Sequence, residues 1–289
     1  MPELPEVEVV KRSLEKKVQK LRIKKVKIND GNLRYKVKKS DILKLSGKKI
    51  EKIERRSKFL IFKVGKNIFM LVHLGMTGKF FFINKKNKKF KTSFYYNLDK
   101  NKDHKHDRII FFLEKRQKLI YNDIRKFGFI KFTNQTDLKQ NPHLKYLGPE
   151  PLSAEFNIRY FKNYIIGKER TIKDLLMDQK FISGLGNIYV NEILFFSGII
   201  PNKKIIKLSD NEIKKIIKLT KKLIKKAIIL GGSSIRDFSS SSGKKGSFQQ
   251  HFSVYGKKGE DCIKRNCRGK IIKIEISNRS TFYCVKCQK

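Results

Sequence analysis

The strongest constraint on the fold lies in the last part of the chain, which holds all four cysteines. They are Cys262, Cys267, Cys284 and Cys287, in the spacing C-x4-C-x16-C-x2-C. Two close pairs separated by the length of a hairpin suit a closed, tetrahedral Zn²⁺ site, whereas four unrelated thiols would not explain the absence of cysteine before them. The segment GKIIKIEISNRSTFY predicts two short strands with a turn near Ser277 and Asn278. We therefore predict a zinc-bound β-hairpin in residues 251–289, with Arg279 at its tip.

The charge of the chain points to a polyanionic partner. Its 289 residues carry 69 Lys and Arg against 26 Asp and Glu, a formal net charge of +43. Such an excess is most often associated with nucleic-acid binding. Lysine, isoleucine, asparagine and phenylalanine are all abundant, as they are in proteins from AT-rich genomes, so part of the charge reflects mutational bias. The sign of the charge is therefore better evidence than its size.

The first residues, MPELPEVEVV, predict an amphipathic helix. Leu4, Val7, Val10, Leu14, Val18 and Leu21 recur at steps of three and four and form one apolar stripe. Pro5 is compatible with a first helical turn, where a missing N–H costs nothing. Glu3 and Glu6 favour the positive end of the helix dipole. From the pattern alone, Pro2 and Glu3 are simply part of a helix start.

The remainder of the chain falls into stretches of different character. Residues 22–134 are rich in short apolar runs with tight turns, which predicts an antiparallel β-sandwich or flattened barrel. Within them, the basic, Asn-rich residues 84–106 predict a solvated loop. Residues 135–152 contain three prolines and predict a linker, and residues 153–230 are helical in pattern, with Gly231 and Gly232 ending the last helix. The fold class is therefore α+β and multidomain.

The segment FISGLGNIYVNEILF predicts a turn between two helices. We expect one helix to end near Ile182, Gly184 and Gly186 to form the turn, and the next helix to begin at Asn187. Backbone N–H groups at such a helix start can bind a phosphate. Taken alone, the motif fits an ordinary helix–turn–helix connection equally well.

The chain shows no sign of a targeting or membrane segment. The first residues are acidic, unlike those of a signal peptide, and lysine interrupts each apolar run before it reaches about 18 residues. We therefore expect a soluble, cytoplasmic protein.

An ordered set of motifs resembles the formamidopyrimidine-DNA glycosylases, bacterial base-excision enzymes for oxidised purines. The motifs are PELPEVE (2–8), RRSKFL (55–60), HLGMTG (73–78), NDIRKFG (122–128), LGPEPL (147–152), DQKFISGLGNIY (178–189), GGSSIRDF (231–238), FQQHFSVYGKKGEDC (248–262) and NRSTFYCVKCQ (278–288). The resemblance implies an N-terminal catalytic β-sandwich domain at 1–134 and a helix–two-turns–helix domain at 153–250. Within the latter it implies a mobile loop at 233–247 that covers the lesion, and the zinc finger follows at 251–289.

The resemblance also implies a catalytic set. The family removes its initiator methionine, so the Pro2 amine becomes the nucleophile that forms a Schiff base with the damaged nucleotide. A terminal amine has a pKa of about 7.7–8.0, against about 10.4 for lysine, so far more of it is unprotonated at neutral pH. Glu3 is the implied proton donor to the sugar, Lys58 the implied proton donor for β-elimination, and Arg279 the implied proton donor for δ-elimination.

The implied DNA contacts are distributed over both halves of the chain. His104, Arg125, Lys168 and Asn187 match DNA-binding positions, and Met76, Arg125 and Phe127 match the side chains that fill the gap left by the flipped base. Met76 and Phe127 could instead be ordinary core residues. The implied partner is double-stranded DNA containing oxidised purines, bound by a monomer that holds one structural Zn²⁺.

Two departures and two alternatives accompany this hypothesis. The first cysteine pair has a four-residue spacer where the family usually has two, which zinc tolerates. Arg236 stands where the family often has lysine, which bears on substrate preference. One alternative is an endonuclease VIII-type glycosylase for oxidised pyrimidines, and the other is a non-catalytic zinc-ribbon nucleic-acid-binding protein.

Overall fold

The computed structural model describes residues 1–84, 89–91, 103–232 and 248–289. The chain divides into two compact units. The first comprises Met1–Lys145 with Leu230–Gln249, and the second comprises Tyr146–Ile229 with Gln250–Lys289. The finer division predicted from the sequence, with boundaries at 134, 152 and 250, remains a prediction.

The first unit is built on two antiparallel sheets, which confirms the β-sandwich. Its strands are β1 (Ile23–Ile28), β2 (Ile50–Arg56), β3 (Phe59–Val64), β4 (Ile68–His73), β5 (Lys79–Ile83), β6 (Lys89–Lys91), β7 (Asp107–Leu113), β8 (Gln117–Asn122) and β9 (Phe129–Thr133). One sheet has the order β1-β7-β8-β5-β6 and the other β2-β3-β4-β9. Side chains from both sheets, among them Phe62, Val72, Phe80 and Phe111, are buried in one apolar core.

The predicted N-terminal helix is α1 (Leu4–Val18), and its apolar stripe packs into this core. Glu3 is the N-cap residue, and its carboxylate accepts the backbone N–H of Glu6 in a capping box. In return, the Glu3 N–H donates to Glu6 Oε2 at 3.0 Å. Pro5 lies in the first turn, as expected. The cap holds both carboxylates beside the first two residues of the chain.

Two stretches of the first unit contain more regular structure than the sequence predicted. Residues 84–106 were expected to be a loop, but β6 pairs with β5 across Phe82 and Phe90, and Asp103–His106 form a 3₁₀ turn. The predicted linker contains α3 (Gln135–Gln140), capped by the Asn134 side chain. A short helix of this kind depends on its cap more than on periodicity, so the sequence pattern did not reveal it. A further short helix in the described part of this unit is α2 (Lys39–Leu43).

The second unit contains the predicted helices. They are α4 (Ile158–Ile165), α5 (Ile172–Met177), α6 (Asn187–Ser197) and α7 (Asp210–Ile229). The start of α6 at Asn187 confirms the prediction, but the preceding helix ends at Met177 rather than near Ile182. Gln179 explains the early end: its Oε1 accepts the Gly184 N–H at 2.8 Å, and its Nε2 donates to Leu185 O at 2.8 Å. These bonds close a loop where a helix would otherwise continue.

The cysteine-rich segment forms the predicted hairpin, from β10 (Ile271–Ile276) and β11 (Arg279–Cys284). Ser277 and Asn278 make the two-residue turn, and both have positive φ, as a type I′ turn requires. The hairpin belongs to the same compact unit as the helices: Asn191 Oδ1 on α6 accepts the Phe282 N–H at 2.7 Å. In the described part of the chain, no helix has the length and apolar character needed to cross a membrane.

Candidate active site and metal centre

A cavity of about 600 Å³ opens beside the chain terminus in the first unit. It is lined by Met1, Arg34, His73, Gly75, Met76, Arg125, Lys126 and Phe127. Pro2 follows Met1 directly and is buried, as are the carboxyl-bearing residues Glu3 and Glu6. Three of the sequence-predicted site residues, Met76, Arg125 and Phe127, therefore share one cavity with the start of the chain.

The environment of the chain terminus favours its neutral amine. Burial lowers the pKa of the Met1 amine below its usual value, and the positive charges of Lys58 and Arg125 lower it further. Glu3 and Glu6 oppose this effect without reversing it. The lowered pKa increases the fraction of this amine in the unprotonated form, which is the form that attacks carbon.

Lys58 reaches this region from the tight turn between β2 and β3. The turn consists of Ser57, with φ 55°, and Lys58 itself, which is buried. Arg55 joins the turn to the first helix, because its Nη1 donates to Ser57 O at 2.9 Å and its Nε contacts Glu8 Oε2 at 2.8 Å. Burial raises the pKa of Glu8, but hydrogen bonds from Arg55 and Arg12 outweigh that effect and the pKa is lowered. Glu8 is therefore ionised, and the pair fixes the lysine turn against α1.

Met76, Arg125 and Phe127 form one exposed group at the cavity. The Arg125 guanidinium lies 4.5 Å from the centre of the Phe127 ring, and its Nη1 is 3.3 Å from Met76 Sδ. Met76 is 39% exposed and Phe127 45% exposed. Exposure of this degree excludes the alternative that the two are core residues. A wedge of this kind can enter a stack of bases.

His73 and Arg34 also line the cavity, and sequence reasoning missed both. The pKa of His73 falls to about 4 because the ring is buried and lies near the positive charges of Lys58 and Arg34. Its Nδ1 accepts the Gly75 N–H at 3.1 Å, so the neutral ring carries its proton on Nε2. A histidine directly before the Leu-Gly-Met turn was the available signal.

A second cavity, of about 730 Å³, lies in the second unit beside the tip of the hairpin. Arg279 and Lys173 both line it. Lys173 is buried, and its Nζ donates to the Thr281 hydroxyl and to Ser280 O. Asn187 Nδ2 donates to the same Ser280 carbonyl at 2.8 Å. Asn187 and Lys173, a lysine that the sequence analysis did not select, thus both bind the carbonyl group of the residue that follows Arg279.

The four cysteines converge as predicted. Their Sγ atoms all lie within 4.8 Å of one another, and Cys262–Cys287 and Cys267–Cys284 are each 3.7 Å apart. Four thiolates at about 2.3 Å from a tetrahedral zinc would be separated by about 3.8 Å. The cluster is therefore suited to a structural metal ion, and the four-residue spacer does not disturb it.

Comparison with known proteins identifies the family. The model of the formamidopyrimidine-DNA glycosylase N-terminal domain matches residues 1–130, and that of the formamidopyrimidine-DNA glycosylase H2TH domain matches residues 147–239. A formamidopyrimidine-DNA glycosylase from Rickettsia bellii is 40% identical over 289 residues, and one from Bradyrhizobium sp. is 35% identical over 295 residues; both alignments cover all of both chains. The chain belongs to the formamidopyrimidine-DNA glycosylase family.

Solved structures of this family have the same fold. Lactococcus lactis Fpg in complex with DNA containing an abasic site is 34% identical, with a TM-score of 0.85 over 99% of both chains. A mutant of that enzyme in complex with DNA containing Fapy-dG is also 34% identical, with a TM-score of 0.86 over the full length of both chains. The resemblance seen in the sequence motifs is therefore confirmed, in preference to an endonuclease VIII-type enzyme or a zinc-ribbon factor.

Of the residues predicted from the sequence to bind DNA, His104, Lys168 and Asn187 line neither cavity. His104 is exposed in the 3₁₀ turn before β7, and its Nδ1 lies 3.1 Å from Asp107 Oδ2. The Lys168 ammonium donates to Tyr164 O and lies 4.3 Å from the centre of that tyrosine ring. Arg236 and the loop 233–247 fall outside the described residues.

Proposed function

We propose that this chain is a bifunctional DNA glycosylase and AP lyase of base-excision repair, which removes oxidised purines and then cleaves the strand. Family membership supports the reaction class. The observation that carries the proposal is the position of the chain terminus in the wall of a cavity, with Glu3 and Lys58 near its amine. The solved complexes of the Lactococcus lactis enzyme contain Fapy-dG or an abasic site, so ring-opened guanine is the first substrate to test.

Removal of Met1 makes Pro2 the terminus and its secondary amine the nucleophile. The nitrogen attacks C1′ of the damaged nucleotide, the glycosidic bond breaks, and its electron pair leaves with the base, which takes up a proton. Glu3 protonates the ring oxygen of the sugar, so the ring opens and a cationic iminium forms between C1′ and Pro2. The Pro2 nitrogen gives up its single proton in this step, so the iminium has no N–H proton whose loss could neutralise it and therefore remains an electron sink.

The iminium makes the C2′ proton acidic and so drives two eliminations. Loss of that proton expels the 3′ phosphate, and a second elimination expels the 5′ phosphate. Lys58 assists loss of the base and the first elimination, and Arg279 assists the second and binds flanking phosphates. Hydrolysis of the remaining iminium returns the amine.

DNA binding and lesion choice require further residues. His104, Lys168 and Asn187 contact the phosphate backbone, while Met76, Arg125 and Phe127 fill the space of the flipped base. The Arg125 guanidinium donates to the acceptor edge of the orphaned cytosine, which adenine does not offer in the same geometry. We therefore expect 8-oxoguanine opposite cytosine and formamidopyrimidines to be the best substrates, on bacterial DNA in the cytoplasm.

The metal in this proposal is one Zn²⁺, held by Cys262, Cys267, Cys284 and Cys287. Four sulfur ligands leave no open position, so the ion has a structural role. Its contribution is to hold the hairpin that presents Arg279.

Borohydride trapping on damaged DNA tests the proposal. Reduction of an iminium links the protein covalently to the DNA, and mass spectrometry identifies the peptide. We expect the adduct on Pro2, in protein that lacks Met1. An adduct on Lys58 would reject the assigned nucleophile, and cleavage of thymine glycol faster than any purine lesion would move the chain to the endonuclease VIII type.

A further inference from the structure

The backbone that carries Arg125 is held by a buried side chain on a different segment. Arg125 lies between β8 and β9, and its N–H donates to the Thr77 hydroxyl oxygen at 3.0 Å. Thr77 directly follows Met76, in the turn between β4 and β5. One hydroxyl group therefore joins the two segments that supply the wedge formed by Met76, Arg125 and Phe127.

Asp123 determines the direction of that hydroxyl. The Thr77 O–H donates to Asp123 Oδ1, which leaves the oxygen lone pairs for the Arg125 N–H. Asp123 is fully buried, and its Oδ2 accepts the Gly128 N–H at 2.9 Å and the Tyr121 O–H at 3.4 Å. The carboxylate thus closes the segment 123–128 on itself and attaches it to Thr77.

The packing around this network leaves little room for another arrangement. A Cβ on Gly75 would lie 2.4 Å from the Gly128 nitrogen, and a Cβ on Gly128 would lie 2.0 Å from the Tyr121 hydroxyl. From the other side, Arg108 Nε donates to Asp123 O at 2.8 Å, while its Nη1 pairs with Asp30 at 2.8 Å. The two turns are therefore in backbone contact, and the position of Arg125 follows from that of Thr77.

We propose that Thr77, oriented by Asp123, is a positioning residue that sets the discrimination between cytosine and adenine opposite the lesion. This inference rests on the proposed function, in which Arg125 faces the orphaned base. A hydrogen bond to a base edge requires a well-placed guanidinium, because hydrogen bonds weaken steeply with misalignment. Iminium formation at the chain terminus does not depend on the hydrogen bond between Arg125 and the orphaned base. Iminium formation and the discrimination between cytosine and adenine can therefore be measured separately.

The test compares Thr77→Val, which keeps the shape but removes the hydroxyl, with Thr77→Ser, which keeps it. Single-turnover excision of 8-oxoguanine is measured opposite C and opposite A. We expect Thr77→Val to lower the C-over-A ratio about tenfold, as loss of a buried hydrogen-bond partner implies. We expect Thr77→Ser to retain the ratio within about twofold. Thr133→Val makes the same chemical change on β9 and is the matched control.

A double variant distinguishes positioning from a general loss of stability. In an Arg125→Ala background, Thr77→Val should not lower the ratio further, because the residue through which it acts is absent. An additive loss in that background, or an unchanged ratio in the single variant, would overturn the inference. Thermal unfolding of each variant checks folding, and Thr77→Ala replaces Thr77→Val if the added methyl group is not accommodated.

Borohydride trapping on an abasic site separates this inference from the proposed function. If the wild type does not trap, the proposed function fails. If the wild type traps and Thr77→Val retains full discrimination, only the positioning role fails.

Discussion

Each unit of this protein contains an amine whose pKa is lowered by burial, and the two amines differ in their surroundings. In the first unit the amine is the chain terminus, which lines an open cavity beside Glu3 and Lys58. In the second unit the amine is Lys173. Its pKa is lowered to about 8, mainly by burial and further by the positive charge of Arg279. The Lys173 amine donates to Thr281 and Ser280 and so holds the hairpin tip. A lowered pKa therefore does not by itself indicate a nucleophile: both residues line a cavity, but Met1 is 47% exposed, whereas Lys173 is 1% exposed and its amine is engaged in hydrogen bonds.

The most decisive test of this comparison is a variant that retains Met1, and with it a primary amine, at the start of the chain. Pro2→Leu introduces a bulky second residue, which should block removal of Met1 and leave a primary amine at the wrong position. We expect borohydride trapping on abasic DNA to fall at least about a hundredfold, because a nucleophile displaced from its reacting geometry loses most of its advantage. Pro5→Ala changes a proline in the first turn of α1, three residues further along the chain, and should trap normally. Wild-type trapping by Pro2→Leu would show that the secondary amine of Pro2 is not required.

The corresponding test of the second unit removes a metal ligand. Cys284→Ser should release the metal, since structural zinc binding supplies folding free energy of about 10 kcal/mol or more in small zinc domains. We expect binding to abasic DNA to fall by at least about tenfold, because the hairpin that presents Arg279 loses its anchor. The readouts are metal content and an equilibrium DNA-binding titration. Undiminished affinity in metal-free protein would contradict the structural role of the cluster.

The comparison is sharpened by a substitution at the cavity that should spare the reacting amine. Arg125→Ala removes the guanidinium that we expect to face the orphaned cytosine. A good polar match to a base is worth about 1–3 kcal/mol, so the C-over-A excision ratio should fall by roughly one to two orders of magnitude. Single-turnover kinetics on both duplexes measure it, and Lys126→Ala, at the next residue of the loop, is the control. Equal wild-type rates opposite both bases would reject this role for Arg125.

The smallest expected effect concerns the pH dependence of stability at Lys173. Its pKa is about 8 in the folded protein and near 10.5 in the unfolded chain, so between these values the unfolded state binds more protons. Stability should therefore rise with pH across this window, by about 2 kcal/mol more in the wild type than in Lys173→Met. Denaturant unfolding at pH 7 and pH 10 measures the difference. Lys218→Met, at an exposed site on α7, should behave like the wild type.

Much of the fold was readable from the sequence because its signals are local. The apolar stripe of α1, the two-residue turn at Ser277 and Asn278, and the start of α6 at Asn187 each depend on neighbouring residues. The spacing of the four cysteines likewise predicted their convergence. The ordered motifs indicated the family and, with it, which residues to examine.

What the sequence by itself determined was therefore the main helices and strands, the cysteine cluster and the family. The tertiary structure alone decided which side chains meet across long separations. In the sequence, Lys173 cannot be distinguished from the other lysines of this basic chain. In the structure, its amine donates hydrogen bonds to Thr281 and Ser280. In the sequence, Thr77 is an ordinary turn residue. In the structure, its hydroxyl group forms hydrogen bonds with the Asp123 carboxylate and the Arg125 N–H. Burial, pKa and hydrogen-bond partners depend on atoms far away in the chain, and periodicity, caps and turn residues carry no information about them.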